Sequence, residues 1–267
     1  MNALLPIPSG DEPPMAGSAL SARNLGKRYG AVTALAGVSF DIAPGEIVAL
    51  VGDNGAGKST TVKLLSGAIA PTTGSVYVQG TPTSMRSSHD ARESGIETVY
   101  QDLALAPNLS IAANIFLGRE IRKTVLGGIL GMLDYKAMDK RSAAELAGLS
   151  IRVPSVRTKC QDLSGGQRQA VAVARAATWG SKVVIMDEPT AALGVEEQHQ
   201  VGELIREIAR QGIGVLLVSH NIPQVHEIAD RALVMFQGRL IANLHTRRSS
   251  VEDLVMWITG AAMTGNP

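Results

Sequence analysis

The sequence predicts an α/β fold, and three stretches carry the prediction. Residues 46–51 form an apolar strand that runs into Gly52 and a glycine-rich turn, with a helix predicted over 58–66. Residues 182–187 place Val183, Val184, Ile185 and Met186 in succession ahead of Asp187 and Glu188, and residues 213–218 are again apolar before Ser219 and His220. Unbroken apolar runs of this length are how strands buried on both faces of a parallel sheet read. Ligands collect outside the carboxyl ends of such strands, where the polar residues here are delivered.

Composition narrows the function classes. At 267 residues the chain is long enough for one large domain, or one with a subdomain. Its 25 basic and 24 acidic residues nearly cancel, so no global field attracts nucleic acid, and no such partner is expected. An aromatic content of 3% argues against stacking platforms for single strands. Cys160 stands alone and forms no internal disulfide, which fits a reducing compartment. No stretch reaches the ~20 apolar residues of a membrane span. The nearest, 125–133, is broken by Gly127, Gly128 and Gly131 and reads as a buried turn or packed helix. The start of the chain lacks the basic-then-apolar pattern of a secretory signal, so a membrane role is expected to come through partners.

Residues 1–18 hold Pro6, Pro8, Pro13 and Pro14 among glycine and serine and are expected to be a disordered tail. Strands follow over 20–29 and 34–42, separated by Gly30 and ended by Ala43-Pro44-Gly45. Tyr29, at the intervening turn, is either a core aromatic or a ring stacked on a purine. The turn Gly52-Asp53-Asn54-Gly55-Ala56-Gly57-Lys58-Ser59-Thr60 then fits G-x-x-x-x-G-K-[ST]. Its glycines let backbone N–H groups approach phosphate oxygens, Lys58 supplies a point charge, and Ser59 offers a hydroxyl to Mg²⁺. The helix start behind them adds unpaired N–H groups and a positive dipole end.

A short strand is predicted over 75–79 and another over 96–100, ending in Gln101-Asp102. From 108 the reading is predominantly helical to about 149, including an amphipathic helix over 135–149, and this middle third is the expected subdomain. Ser164 caps a helix that opens with Gly165, Gly166 and Gln167, a second glycine-lined anion site. Asp187 is placed to hold hydrated Mg²⁺ and Glu188 to take a proton from water. The 196–211 helix presents Val201, Leu204, Ile205 and Ile208 to the core and stops at Gly212. His220, at the end of the 213–218 strand, is read as a γ-phosphate contact. A helix over 222–229, a hairpin of 232–236 with 239–244, and a last helix capped by a box of Ser249 and Glu252 complete the chain.

In this order the motifs resemble the nucleotide-binding subunits of ATP-binding cassette (ABC) transporters, through Leu163-Ser164-Gly165-Gly166-Gln167 above all. The resemblance implies a P-loop NTPase (RecA-like) core with a β subdomain and an inserted α-helical subdomain. The nucleotide-binding domain would span 19–260, with the insertion at approximately 102–162 and a tail at 261–267. It implies ATP and Mg²⁺, with Tyr29 stacked on adenine, Gly52 to Thr60 as Walker A, and Gln101 as the Q-loop residue that touches Mg²⁺. Asp187 would be the Walker B carboxylate, Glu188 the catalytic glutamate and His220 the switch histidine, with Lys58 beside them. In this family two copies sandwich two ATP molecules and the signature of one copy completes the site of the other. The implied partners are therefore a second copy, two integral-membrane permease subunits and, indirectly, a solute-binding protein, with the chain peripheral on the cytoplasmic side of the inner membrane.

The segment 100–110, with 114–120 and 167–175, is similar to the ribose, xylose and fructose importers of bacteria. One departure stands out: Gly194 occupies the place of the family's usual aspartate in the loop after Glu188. A non-transport ABC ATPase acting on ribosomes or DNA, and a regulatory module with little turnover, are the alternatives at this stage.

Overall fold

The computed structural model describes residues 3–125 and 130–264. In chain order its elements are β1 (Leu20–Tyr29), β2 (Val32–Ile42), β3 (Ile47–Gly52), α1 (Lys58–Leu65), β4 (Thr73–Val78), β5 (Thr81–Thr83), α2 (Ser88–Glu93), β6 (Ile96–Val99), α3 (Ile111–Ile115), β7 (Arg122–Val125), β8 (Leu130–Leu133) and α4 (Tyr135–Gly148). There follow α5 (Gly165–Trp179), β9 (Val183–Asp187), α6 (Val195–Arg210), β10 (Gly214–Val218), α7 (Ile222–Ile228), β11 (Arg231–Phe236), β12 (Arg239–His245), α8 (Val251–Ile258) and α9 (Ala261–Thr264).

The main sheet has six strands in the order β12-β11-β3-β10-β9-β6, parallel except for β12. Its central strands are fully apolar because both faces are covered, and the pleat sorts their side chains into two cores. Ala49, Val51, Val184, Met186, Val215 and Leu217 pack with α5 and α6 residues such as Val171 and Ile205. Val48, Leu50, Val183, Ile185, Leu216 and Val218 face the other way, onto α1 and the antiparallel sheet β2-β1-β4-β5 through Leu25, Phe40 and Val62. Period-two alternation thus survives in direction although polarity does not alternate.

The structure departs from expectation in four places. The 125–133 stretch contributes to the hairpin β7–β8, with Met132 exposed, rather than to a buried turn or packed helix, and 126–129 lie outside the described residues. Among the described residues the middle third, from 108 to 149, is helical only in α3 and α4. The first residues are laid along the sheet: Leu5 N–H donates to Asn243 O at 2.7 Å, His245 N–H to Ala3 O at 2.8 Å, and Leu4 bridges Leu244. Edge strand β12 leaves a row of backbone groups on its outer side, and this segment pairs with those of Asn243 and His245, which composition does not disclose. The last helix is capped by Ser250 with Asp253, not by Ser249 with Glu252, since the Ser249 hydroxyl donates to His245 O. The expected tail at 261–267 begins as α9, with 265–267 outside the described residues.

Candidate active site

The parallel register brings the polar ends of four strands level. Leu50 of β3 lies opposite Val218 of β10, Val218 opposite Asp187 of β9, and Met186 opposite Val99 of β6. Everything just beyond those residues therefore emerges on one edge: the cradle from Gly52, Ser219-His220, Asp187-Glu188 and Tyr100-Gln101.

The cradle's shape depends on glycine at two positions. Gly52 has φ +150°, and a Cβ there would sit 2.3 Å from Met235 O of the neighbouring strand. Gly57, the N-cap of α1, has φ +107°, and its Cβ would meet Leu35 Cδ2 at 2.7 Å and Ala34 O at 3.1 Å. Only glycine lets β2 cross so close to the loop. Lys58 Nζ folds back to donate to Gly52 O at 2.6 Å and Asp53 O at 3.1 Å, so its charge is held over the loop. Asp53 Oδ1 accepts from Asn54 N–H at 2.7 Å, and Gly55, Ser59 and Thr60 complete the turn and the first turn of α1. Tyr29 is at the turn end of the β1–β2 hairpin, half exposed, with Lys27 Nζ 5.3 Å from its ring centroid. It is thus not a core aromatic.

Glu188 and His220 are brought into contact: His220 Nδ1 lies 2.8 Å from Glu188 Oε2, with the Glu188 side chain 16% exposed and that of His220 69%. Glu188 has φ +53°, a conformation L-residues rarely adopt, and its N–H donates to Val218 O at 2.9 Å. The β9–β10 ladder thereby over-determines a strained residue at the carboxyl end of β9. Burial pushes the Asp187 carboxyl above the usual carboxylate range and the Glu188 charge pushes it further, while Lys58 and Lys63 pull it down. Gln101 follows β6 on the same edge, exposed.

Ser164 to Gln167 are placed elsewhere. Ser164 caps α5, its Oγ accepting from Gln167 N–H at 3.2 Å while Gln167 Oε1 accepts from Ser164 N–H at 3.1 Å. Gly165 opens the helix and Gly166 N–H donates to Glu197 Oε1 at 3.2 Å. Among the described residues no hydrogen bond runs from this turn to the cradle.

Comparison with known proteins identifies the family. Residues 35–191 match the family described as ABC transporter. The chain belongs to the ABC transporter family. It is 52% identical to the fructose import ATP-binding protein FrcA of Rhizobium meliloti, over 91% of this chain and 94% of that one. It is 46% identical to the xylose/arabinose import ATP-binding protein XylG of Sulfolobus acidocaldarius, over 91% and 95%. A cassette of an ABC transporter solved in its ADP conformation has the same fold, with a TM-score of 0.76 at 23% identity over 91% of this chain and 95% of that one. A dimeric cassette bound to ADP and Pi superposes with a TM-score of 0.70 at 25% identity, over 85% and 99%.

The chain is thus an ABC ATPase cassette with the P-loop NTPase fold expected from its sequence. Its oxygen donors, the Ser59 hydroxyl, the Gln101 amide and the Asp187 carboxylate, are hard ligands of the kind Mg²⁺ takes. Repulsion between Asp187 and Glu188 is what a divalent cation offsets, so these residues fit that ion. Sequence reasoning missed Glu197 and Gln198, whose side chains bond the loops around this ABC site. The available signal was the spacing Gly194-x-x-Glu197 at a helix start.

Proposed function

We propose that the chain is the ATP-hydrolysing, energy-coupling subunit of a bacterial monosaccharide importer, acting as a dimer on two membrane subunits. The observation that carries the chemistry is the strained Glu188 bonded to His220 beside Asp187, level with the Gly52–Thr60 cradle. The relatives named for fructose and for xylose and arabinose support the solute class.

In this reading the cradle N–H groups and Lys58 bind the β- and γ-phosphates, and Tyr29 stacks on the adenine. Ser59, Gln101 and Asp187 would hold Mg²⁺, which neutralises phosphate charge when bound. Glu188 orients water for in-line attack on the γ-phosphate and takes its proton, and His220 holds the Glu188 carboxylate and touches the same phosphate. Ser164, Gly165, Gly166 and Gln167 of a second copy close over that phosphate, which accounts for their distance from the cradle of their own chain. Motion reaches the membrane subunits through the groove beside Gln101, where Tyr100, Leu117, Arg119 and Trp179 line the space between β6 and α5. Among the described residues no helix is long and apolar enough to cross a membrane, and the reading makes the chain peripheral, on the cytoplasmic face.

The test is steady-state ATP hydrolysis by the wild type and by Glu188→Gln. Removing the base lowers turnover by about 10²- to 10⁴-fold; equal, negligible rates in both would sink the enzyme. Co-purification with integral-membrane subunits of a sugar importer checks the transport assignment, and recovery of ribosomal components would count against it.

A further inference from the structure

Two consecutive residues near the start of α6 make bonds that the chemistry above does not use. The Glu197 carboxylate spans backbone donors from two separate motifs. Its Oε1 accepts from Gly166 N–H and its Oε2 from Gly194 N–H, each at 3.2 Å. The first donor lies in the glycine pair that opens α5, and the second ends the loop that follows Glu188. The fit is close, since a Cβ on Gly166 would lie 2.8 Å from that same Oε1.

Gln198 continues the chain of bonds on the other side. Its Nε2 donates to Leu193 O at 2.9 Å, and its Oε1 accepts from Asn221 Nδ2 at 3.0 Å. Asn221 directly follows His220. Behind it Gln224 Nε2 donates to Gln198 O at 3.2 Å, and Gln224 Oε1 accepts from Thr190 Oγ1 at 2.6 Å. Hydrogen bonds therefore join Gly166 through Glu197 to the Thr190–Gly194 loop, and Gln198, the next residue of the chain, to Asn221, the backbone neighbour of the His220 that contacts Glu188. Thr190 and Gln224 are buried, so their hydroxyl and amide have no water to turn to and the bond between them is costly to break, whereas Glu197 and Gln198 are only partly buried.

We propose that Glu197 and Gln198 are positioning residues that tie the Ser164–Gln167 turn to the Glu188–His220 pair of the same chain, so that the two move as one unit. The inference rests on the two-copy site above, in which that turn serves the other copy's nucleotide while Glu188 and His220 serve this copy's own. Closure at one site is then passed to the other through the start of α6.

The experiment measures ATP hydrolysis by the full-length chain against ATP concentration. The wild type is expected to be cooperative, with a Hill coefficient approaching about 2 for two coupled sites. Glu197→Ala and Gln198→Ala bring it towards about 1 and lower turnover at least about fivefold, while the thermal unfolding midpoint stays close to that of the wild type. Glu197→Gln, which keeps the shape but only one acceptor oxygen, guards against misfolding and is expected to fall between. Wild-type cooperativity retained in Glu197→Gln and Gln198→Ala would overturn the linkage. A wild type that hydrolyses ATP without cooperativity would overturn it as well and leave the ATPase reading standing; a wild type no faster than Glu188→Gln would remove the ATPase reading itself.

Discussion

At Asp187 the demands of the site and of the fold oppose each other. Its charge is penalised by burial and by Glu188, so the folded chain holds the Asp187 proton to higher pH than the unfolded chain does. Such a group costs stability above its folded pKa, and the cost is relieved as pH falls through that value. Asp187→Asn is therefore expected to raise the thermal unfolding midpoint at neutral pH, with the gain shrinking in acid, while turnover falls by roughly 10²-fold or more. Unfolding curves over a pH series check the first expectation and ATP hydrolysis the second. His220 makes the opposite case, because its side chain is mostly exposed and its one charged contact is to Glu188. Replacing it with alanine should change stability by no more than about 0.5 kcal/mol and still depress hydrolysis, which denaturant unfolding and turnover measured on one preparation separate.

Elements, rather than single groups, set the cradle's shape. Since a Cβ at Gly52 would fall 2.3 Å from Met235 O, Gly52→Ala must push β11 away from β3. The expected result is loss of ATP binding together with a lowered unfolding midpoint, read by calorimetry with and without nucleotide. Ser164→Ala removes the cap of α5 and should cost about 1 kcal/mol, measured by urea unfolding. The strands that carry this site were legible because β3, β9 and β10 are apolar throughout and end in residues no buried strand would keep, as at Asp187 and His220. The hairpin β7–β8 was not, since a short apolar run broken by glycines at 127, 128 and 131 reads as a buried turn or packed helix. Capping of α8 was misplaced by one residue because Ser249-Glu252 and Ser250-Asp253 offer the same spacing, and only the bond from Ser249 to His245 O separates them. The bonds of Glu197 and Gln198 join loops far apart in sequence, which no local pattern announces.

For the whole molecule the sheet edge matters as much as the site. Residues 3–5 pair with the last residues of β12, and Asn243 Nδ2 adds a bond to Pro6 O at 2.9 Å. Removing the first nine residues should lower stability by about 1–2 kcal/mol without changing ATP hydrolysis per folded chain, and should promote association through the bared strand. Denaturant unfolding and light scattering of the shortened chain give the two readings.

The level register of β3, β10, β9 and β6 has a metric consequence. Strands in a sheet stand about 4.8 Å apart, so the line from the end of β3 through β10 and β9 to that of β6 is a ruler of roughly 14 Å marked in equal steps. Each step also turns by about 20–25°. A rigid extended ligand lying along that line would meet groups aimed in progressively rotated directions, and would be gripped in full only if it could twist along its own length by some 60–75°. A chain of phosphates, jointed at every bridging oxygen, has that freedom.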